Sequence, residues 1–250
     1  MPPRKVTDVP AQTVAELNRG VRETRDLVEG FTIDFSQLMR QGLPEMSVPS
    51  FDRMRAGLDE SYTKRFRLAA SICFDELGQA AVGRLGAHKS DTIRGWSAYA
   101  VGLIPDISIE DRLAMVRPLA DDPHFGVREW AWLGVRGAIV DEPEKVIALL
   151  GPWVHDASAN IRRFATEATR PRGVWAAHIG VLKETPKLAL PLLDPLYSDA
   201  SKYVQDSVAN WLNDASKTQP GWVRSVCERW MSESDSTATA RICKRAMRTM

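Results

Sequence analysis

The sequence predicts an all-α chain built from repeated pairs of antiparallel helices, and three observations predict it. Four segments are self-similar, their spacing is that of a two-helix repeat, and no stretch alternates apolar and polar residues for long enough to make a strand. The copies are 121–136 (DDPHFGVREWAWLGVR), 155–170 (HDASANIRRFATEATR), 198–213 (SDASKYVQDSVANWLN) and 233–248 (ESDSTATARICKRAMR). In each, an acid stands five residues before a small or β-branched aliphatic: Asp122 before Val127, Asp156 before Ile161, Asp199 before Val204, Asp235 before Ala240. A polar residue follows each aliphatic, namely Arg128, Arg162, Gln205 and Arg241. A looser copy at 89–103 sets Ile93 and Arg94 in register, so the offsets run 34, 34, 43 and 36 residues. Helix pairs of this period stack into a curved, right-handed HEAT-like array whose inner helices line a concave binding face.

Taken in order, residues 1–60 form an N-terminal helical cap and 61–250 the repeats, the whole being one domain. An amphipathic helix is expected across 13–30, and the Pro- and Gly-rich 41–53 joins it to the array. Each acid with its small polar neighbours reads as a turn and helix N-cap, after which apolar residues such as Val127, Ala131, Gly134 and Val135 recur at helical spacing. Outer helices lie between, for example 143–154. The longest interval contains Pro171, Gly173, Pro186, Pro191 and Pro195, which leaves room for an extra short helix.

Composition narrows the function classes. With 44% hydrophobic and 26% charged residues the chain is neither disordered nor fibrous. Apolar runs such as 146–154 and 188–196 fall short of the roughly 20 residues that cross a bilayer, so no membrane partner is expected. The N-terminus carries basic residues without an apolar stretch behind them, which implies a cytoplasmic protein. Cys73, Cys227 and Cys243 have no CxxC spacing, and His88, His124, His155 and His178 are scattered, so neither a metal nor a cofactor is expected and the histidines read as turn or packing residues. Phosphate-binding glycine loops and the hydrolase elbow are absent. A net charge of +1 gives no global pull toward nucleic acid. Two local windows do: 160–175, with four arginines and one acid, and 241–250, with Arg241, Lys244, Arg245 and Arg248.

Within 160–175, Arg163, Glu167 and Arg170 are spaced i, i+4, i+7 and share one helix face, while Ile161, Phe164, Ala165 and Ala168 turn inward. The same spacing also fits surface ion pairs worth a few tenths of a kcal/mol each. Pro171 ends that helix, and the loop delivers Trp175, either to the concave rim or into the core of the padding helix. In the preceding repeat Glu129 aligns with Arg163, Trp130 aligns with Phe164 and is expected in the core, and Trp132 faces the groove or an outer helix. Trp211, Trp222 and Trp230 read as packing residues.

These residues carry a resemblance. HFGVREWAWLGVR, NIRRFATEATRPRGVWAAHIGVLK and YVQDSVANWLNDASKTQPGWVR together resemble the AlkC branch of the bacterial HEAT-like DNA alkylation-repair glycosylases, from about Lys64 onward. The resemblance implies metal-free excision, by a monomer acting on double-stranded DNA, of cationic N-alkylated bases: 3-methyladenine and, in this branch, 3-methylcytosine. It implies Glu167 and Glu129 as catalytic carboxylates, and Arg163, Arg170, Trp175 and Trp132 as substrate-binding residues. Arg162 and Arg172 are expected on the DNA backbone, as are Arg241, Lys244 and Arg245, whose helix would stand in for the immunoglobulin-like domain of longer relatives. The chemistry suits these residue types. A cationic base is already a good leaving group, so the demand falls on stabilising the oxocarbenium-like sugar, which a fixed carboxylate does. The alternative is a non-catalytic HEAT-like module that binds DNA structures or another protein.

Overall fold

The computed structural model describes residues 5–250 and contains no β-strand among them. The chain forms two compact units, one from residues up to 108 together with 114–135, the other from 109–113 together with 136–250. The first holds α1 (Ala11–Asn18), α2 (Leu27–Phe31), α3 (Phe35–Gly42), α4 (Val48–Ala56), α5 (Tyr62–Leu77), α6 (Ala80–Gly86), α7 (Asp91–Leu103), most of α8 (Ile109–Ala120) and α9 (Phe125–Gly134). The second holds α10 (Arg136–Asp141), α11 (Pro143–Leu150), α12 (Ala159–Ala168), α13 (Gly180–Glu184), α14 (Leu190–Leu193), α15 (Lys202–Ser216), α16 (Pro220–Glu233) and α17 (Thr237–Ala246). No helix is long and apolar enough to cross a membrane among the described residues.

The repeat is written in hydrogen bonds. At the head of each inner helix one side chain accepts from the backbone N–H two residues on, which belongs to the N-cap residue: His88 Nδ1 from Ser90 (2.9 Å), Asp122 Oδ1 from His124 (2.7 Å), Asp156 Oδ1 from Ser158 (2.8 Å) and Asp199 Oδ1 from Ser201 (2.7 Å). The acid therefore builds the turn, and its second neighbour is the cap. Six residues after the turn residue, Arg94, Arg128, Arg162 and Gln205 each donate back to its carbonyl, at 2.7–3.0 Å. In the fifth copy Ser234 Oγ takes the acid's place, accepting from Ser236 N–H at 3.1 Å. The last offset is thus one residue shorter than the sequence pattern suggests. As a result Thr239 is fully buried in the aliphatic position while Ala240 is exposed.

The same arginines join consecutive repeats. Arg94 grips Asp122 through Nε (2.8 Å) and Nη2 (3.0 Å), and Arg162 grips Asp199 the same way, at 2.7 and 3.1 Å. Such two-point, charge-assisted pairs fix orientation as well as distance. Arg162, expected on the DNA backbone, is therefore a joint residue. Four of its five donors are engaged on Asp199 and on the carbonyls of Asp156 and Ala157, leaving little for a phosphate.

The expected helix over 13–30 is broken in two. α1 ends at Asn18, Gly20 follows with φ +67°, and Asp26 caps α2 by accepting from Glu29 N–H at 3.0 Å. Likewise 41–53 is not merely a connector, since α4 starts inside it, with Pro49 in the first turn. The padding segment holds α13 and α14 between short 3₁₀ turns. The cysteines are all buried and unpaired. Trp130 packs in the first unit with its ring 3.9 Å from Phe66, and Trp96, Trp211 and Trp230 are wholly buried.

One close approach sets the packing of α7 on α9. A Cβ added to Gly134 would run into the Ala98 carbonyl and lie 2.8 Å from the Tyr99 nitrogen, both rigid backbone. Gly134→Ala is expected to destabilise the protein by about 2–3 kcal/mol through overpacking, lowering the helical melt followed by circular dichroism by about 5 °C or more. An unchanged melting temperature would contradict this account of the contact.

Candidate functional site

The predicted site residues are divided between the two units. In the second, α12 buries Ile161, Phe164, Ala165 and Ala168, the apolar stripe its spacing predicts. It also buries Glu167, only 3% exposed. The helix stops at Ala168, so Arg170 lies just beyond it rather than on a third turn. Arg170 Nη1 donates to Glu167 Oε1 at 2.6 Å, Arg163 Nη2 lies 3.5 Å from Oε2, and Ser207 Oγ of α15 donates to Oε2 at 2.7 Å. Thr166 and Ser207 hydroxyls are bonded at 2.8 Å. Arg170 continues to Asp214 of α15, with Nε and Nη2 at 2.9 and 2.8 Å from Oδ2. The guanidinium of Arg163 also stacks 4.3 Å from the Tyr203 ring centre.

Burial alone would push the Glu167 carboxyl up. The charges of Arg163 and Arg170, helped by the hydrogen bonds from Arg170 and Ser207, outweigh it and hold the group below the usual glutamate range. Burial also works against the Arg170 charge, and Glu167 and Asp214 more than restore it. These are ionised groups inside the protein, so the surface-pair reading of the i, i+4, i+7 spacing fails on burial.

The repeat register shows what is unusual here. Gly102, Arg136, Arg170 and Asn213 occupy the same position in successive copies, at offsets of 34, 34 and 43 residues. At three of them the residue meets the carbonyl of the last residue of the next inner helix. A Cβ on Gly102 would strike the Gly134 carbonyl, Arg136 Nη1 donates to the Ala168 carbonyl, and Asn213 Nδ2 donates to the Ala246 carbonyl at 2.9 Å. Those bonds satisfy carbonyls that a helix end leaves without partners. Arg170 is the exception, turned instead onto two carboxylates.

After α12 the chain runs 171–179, with Ile179 N–H returning to the Pro171 carbonyl at 3.1 Å. Val174 and Trp175 are 55% and 52% exposed, and Trp175 has φ +58°. A bulky residue in the left-handed region costs on the order of 1–3 kcal/mol, and such residues concentrate at functional sites. Trp175 is thus displayed rather than packed. In the same loop Arg172 has a buried Nε with no acceptor and no ion pair among the described residues.

In the first unit Glu129 is half-buried and accepts from Trp132 Nε1 at 3.0 Å, while Trp132 is itself 2% exposed. Trp132 therefore orients Glu129 and presents no open face. On α17, Arg241 Nη2 and Arg245 Nε lie 2.6 and 3.0 Å from one Asp206 oxygen, and Lys244 is exposed and has no ion pair among the described residues.

Sequence reasoning passed over Asp214, Ser207, Tyr203 and Arg136. Ser207 and Asp214 are i and i+7 on α15, but that helix also carries Lys202, Gln205, Asp206, Asn210, Asn213 and Ser216, so their spacing alone did not single them out. Nothing local marks Arg136, whose role emerges only when the next repeat is in place.

Fold and cluster define an all-α repeat protein carrying a buried acid–arginine network on a helix that leads into a displayed tryptophan. No family model matches the chain. Over 164 residues it is 38% identical to the uncharacterised protein YhaZ of Bacillus subtilis (strain 168), a match covering 64% of this chain and 44% of YhaZ. The fold is that of the Pseudomonas fluorescens alkylpurine DNA glycosylase AlkC, solved bound to DNA containing an abasic-site analogue. The two share a TM-score of 0.70 and 21% identity over 99% of this chain and 65% of AlkC. AlkD2 from Streptococcus mutans is similar at TM-score 0.63 and 21% identity, over 80% of this chain and 95% of that one. The chain thus spans less than half of YhaZ and about two thirds of AlkC.

Proposed function

We propose that the protein is a DNA glycosylase that binds duplex DNA as a monomer and hydrolyses the N-glycosidic bond of cationic N-alkylated bases, 3-methyladenine and 3-methylcytosine among them. The observation that carries this reading is a carboxylate, Glu167, kept ionised inside the protein by Arg163 and Arg170, on the helix that leads into an exposed, left-handed Trp175. The likeness of fold to AlkC supports it. A lesion with a formal positive charge leaves without general acid help, so the enzyme must favour the cationic sugar. A carboxylate held below its usual proton affinity is favoured as a fixed charge, which suits Glu167 to electrostatic stabilisation of the sugar. The indole of Trp175 attracts a cationic base over its face by about 0.5–2 kcal/mol and a neutral one much less, so selectivity follows substrate charge. Glu129, oriented by Trp132, is the second proposed carboxylate, suited to positioning water. Phosphates fall to Arg172 and Lys244, which have no acidic partner among the described residues, with Arg241 and Arg245 contributing the charge that their shared Asp206 carboxylate leaves over.

The test is release of free base from duplexes that each carry one 3-methyladenine, 3-methylcytosine or 7-methylguanine. Release of at least one methylated base, with none from unmodified DNA, is expected. Binding to all of these duplexes without any release would install the non-catalytic reading. Trp175→Ala should slow release from cationic lesions about tenfold at an unchanged melting temperature, because an exposed side chain is removed. A variant that melts early would show the indole to be structural.

A further inference from the structure

We infer that Arg136 is a positioning residue that clamps both stems of the 169–177 loop, and so fixes Trp175 relative to Glu167; the inference rests on the function proposed above. Arg136 opens α10 and is 3% exposed. In the other copies Gly102 only abuts the last carbonyl of the next inner helix, Arg170 turns to Glu167 and Asp214, and Asn213 reaches the Ala246 carbonyl and the Thr249 hydroxyl. Arg136 reaches that last carbonyl at Ala168 and goes on to the Arg170 carbonyl through Nη2 at 2.7 Å and the Ala177 carbonyl through Nε at 2.9 Å. One planar guanidinium thus ties the end of α12, the residue that holds Glu167, and the far side of the loop that displays Trp175.

The arrangement is unusual for a buried cation. Among the described residues Arg136 makes no ion pair, and burial, together with the neighbouring Arg170, pulls its pKa down to about 10, with Glu167 and Asp214 acting the other way. A residue serving stability alone would be replaced at little cost by a neutral amide such as Asn213 in the later copy. An amide, however, has neither the reach nor the fork for carbonyls on two sides of a loop. Only the stems are held, since the tip bears the exposed Val174 and Trp175.

The readout independent of activity is tryptic cleavage of the Arg172–Gly173 bond, at the centre of the clamped segment, where Gly173 is buried. Arg136→Lys keeps the charge and loses the fork. It is expected to raise the cleavage rate at Arg172 at least tenfold relative to cleavage elsewhere in the chain, and to lower kcat for base release about tenfold with DNA affinity unchanged. Arg136→Met should do the same more strongly. Cleavage that accelerates equally at all sites, in step with a lowered melting temperature, would make Arg136 a general stabiliser and overturn the inference, as would an unchanged rate at Arg172. If Trp175→Ala leaves base release intact, the proposed role of the tryptophan fails, while the cleavage result still judges the clamp on its own.

Discussion

Glu167→Gln is expected to slow release of 3-methyladenine from methylated duplex about a hundredfold while leaving DNA binding intact. The amide is isosteric: its oxygen can still accept from Arg170 while its NH2 donates to the Ser207 hydroxyl oxygen, so the pocket keeps its shape. What disappears is the negative charge that answers the developing sugar cation, and loss of one preorganised electrostatic group costs on the order of 3 kcal/mol in the transition state. Binding should hold or tighten, because Arg163 and Arg170 then carry an excess of positive charge toward the phosphates. The decisive comparison is single-turnover release at saturating enzyme. A rate equal to that of the parent would remove Glu167 from the reaction.

Arg170→Met should be the most damaging change to stability in the cluster. It leaves Glu167 and Asp214, both nearly inaccessible, without the guanidinium that each of them bonds. Breaking a buried pair on one side costs about 3–5 kcal/mol, against the small effect of a surface pair. The melting temperature should fall by roughly 10 °C at neutral pH. The pH dependence distinguishes this from simple loss of packing. In the parent, Glu167 titrates below its unfolded value, so its contribution is present above the ordinary glutamate range and fades as the pH drops through the lowered folded value. In the variant Glu167 keeps Arg163 and Ser207 but loses its shortest ion pair, so burial, which pushes its carboxyl upward, weighs more heavily, and the penalty at that residue is full at neutral pH and shrinks as acid protonates it. The melting-temperature gap between parent and variant should therefore narrow on acidification. A constant gap would argue that Arg170 matters only for its volume.

The repeats were legible in the sequence because each copy spends several residues on one local device, the turn residue, the cap and the arginine that returns to the turn. Such a motif leaves a fixed spacing of chemically distinctive side chains. The slip in the last copy occurred because Asp235 is an acid next to the true position, and Ser234 does the same work with a less conspicuous side chain. The split of 13–30 turned on Gly20, whose left-handed φ interrupts an apolar pattern that otherwise continues. In the site, Glu167 and its two arginines could be read from helical spacing, and Trp175 from its place after Pro171. Burial could not, and burial is what separates an ion pair on the surface from a fixed charge. Arg162 shows the same limit: a basic window says nothing of how many donors are already engaged, and Asp199 is 37 residues away in sequence. Asp214 and Arg136 act across repeats, so their signal exists only in three dimensions.

The grip of Arg162 on Asp199 has a consequence for how the molecule tolerates change. Both ends of that grip lie in the first turn of an inner helix or just before it, so nothing in the joint measures the length of chain between them. The 43-residue interval, longer than its 34-residue predecessors, is absorbed wholly outside the joint, as α13, α14 and their 3₁₀ turns. Insertions on that side are thereby decoupled from helix docking. Evolution can lengthen, shorten or redecorate the outer layer there while the inner helices keep their registration.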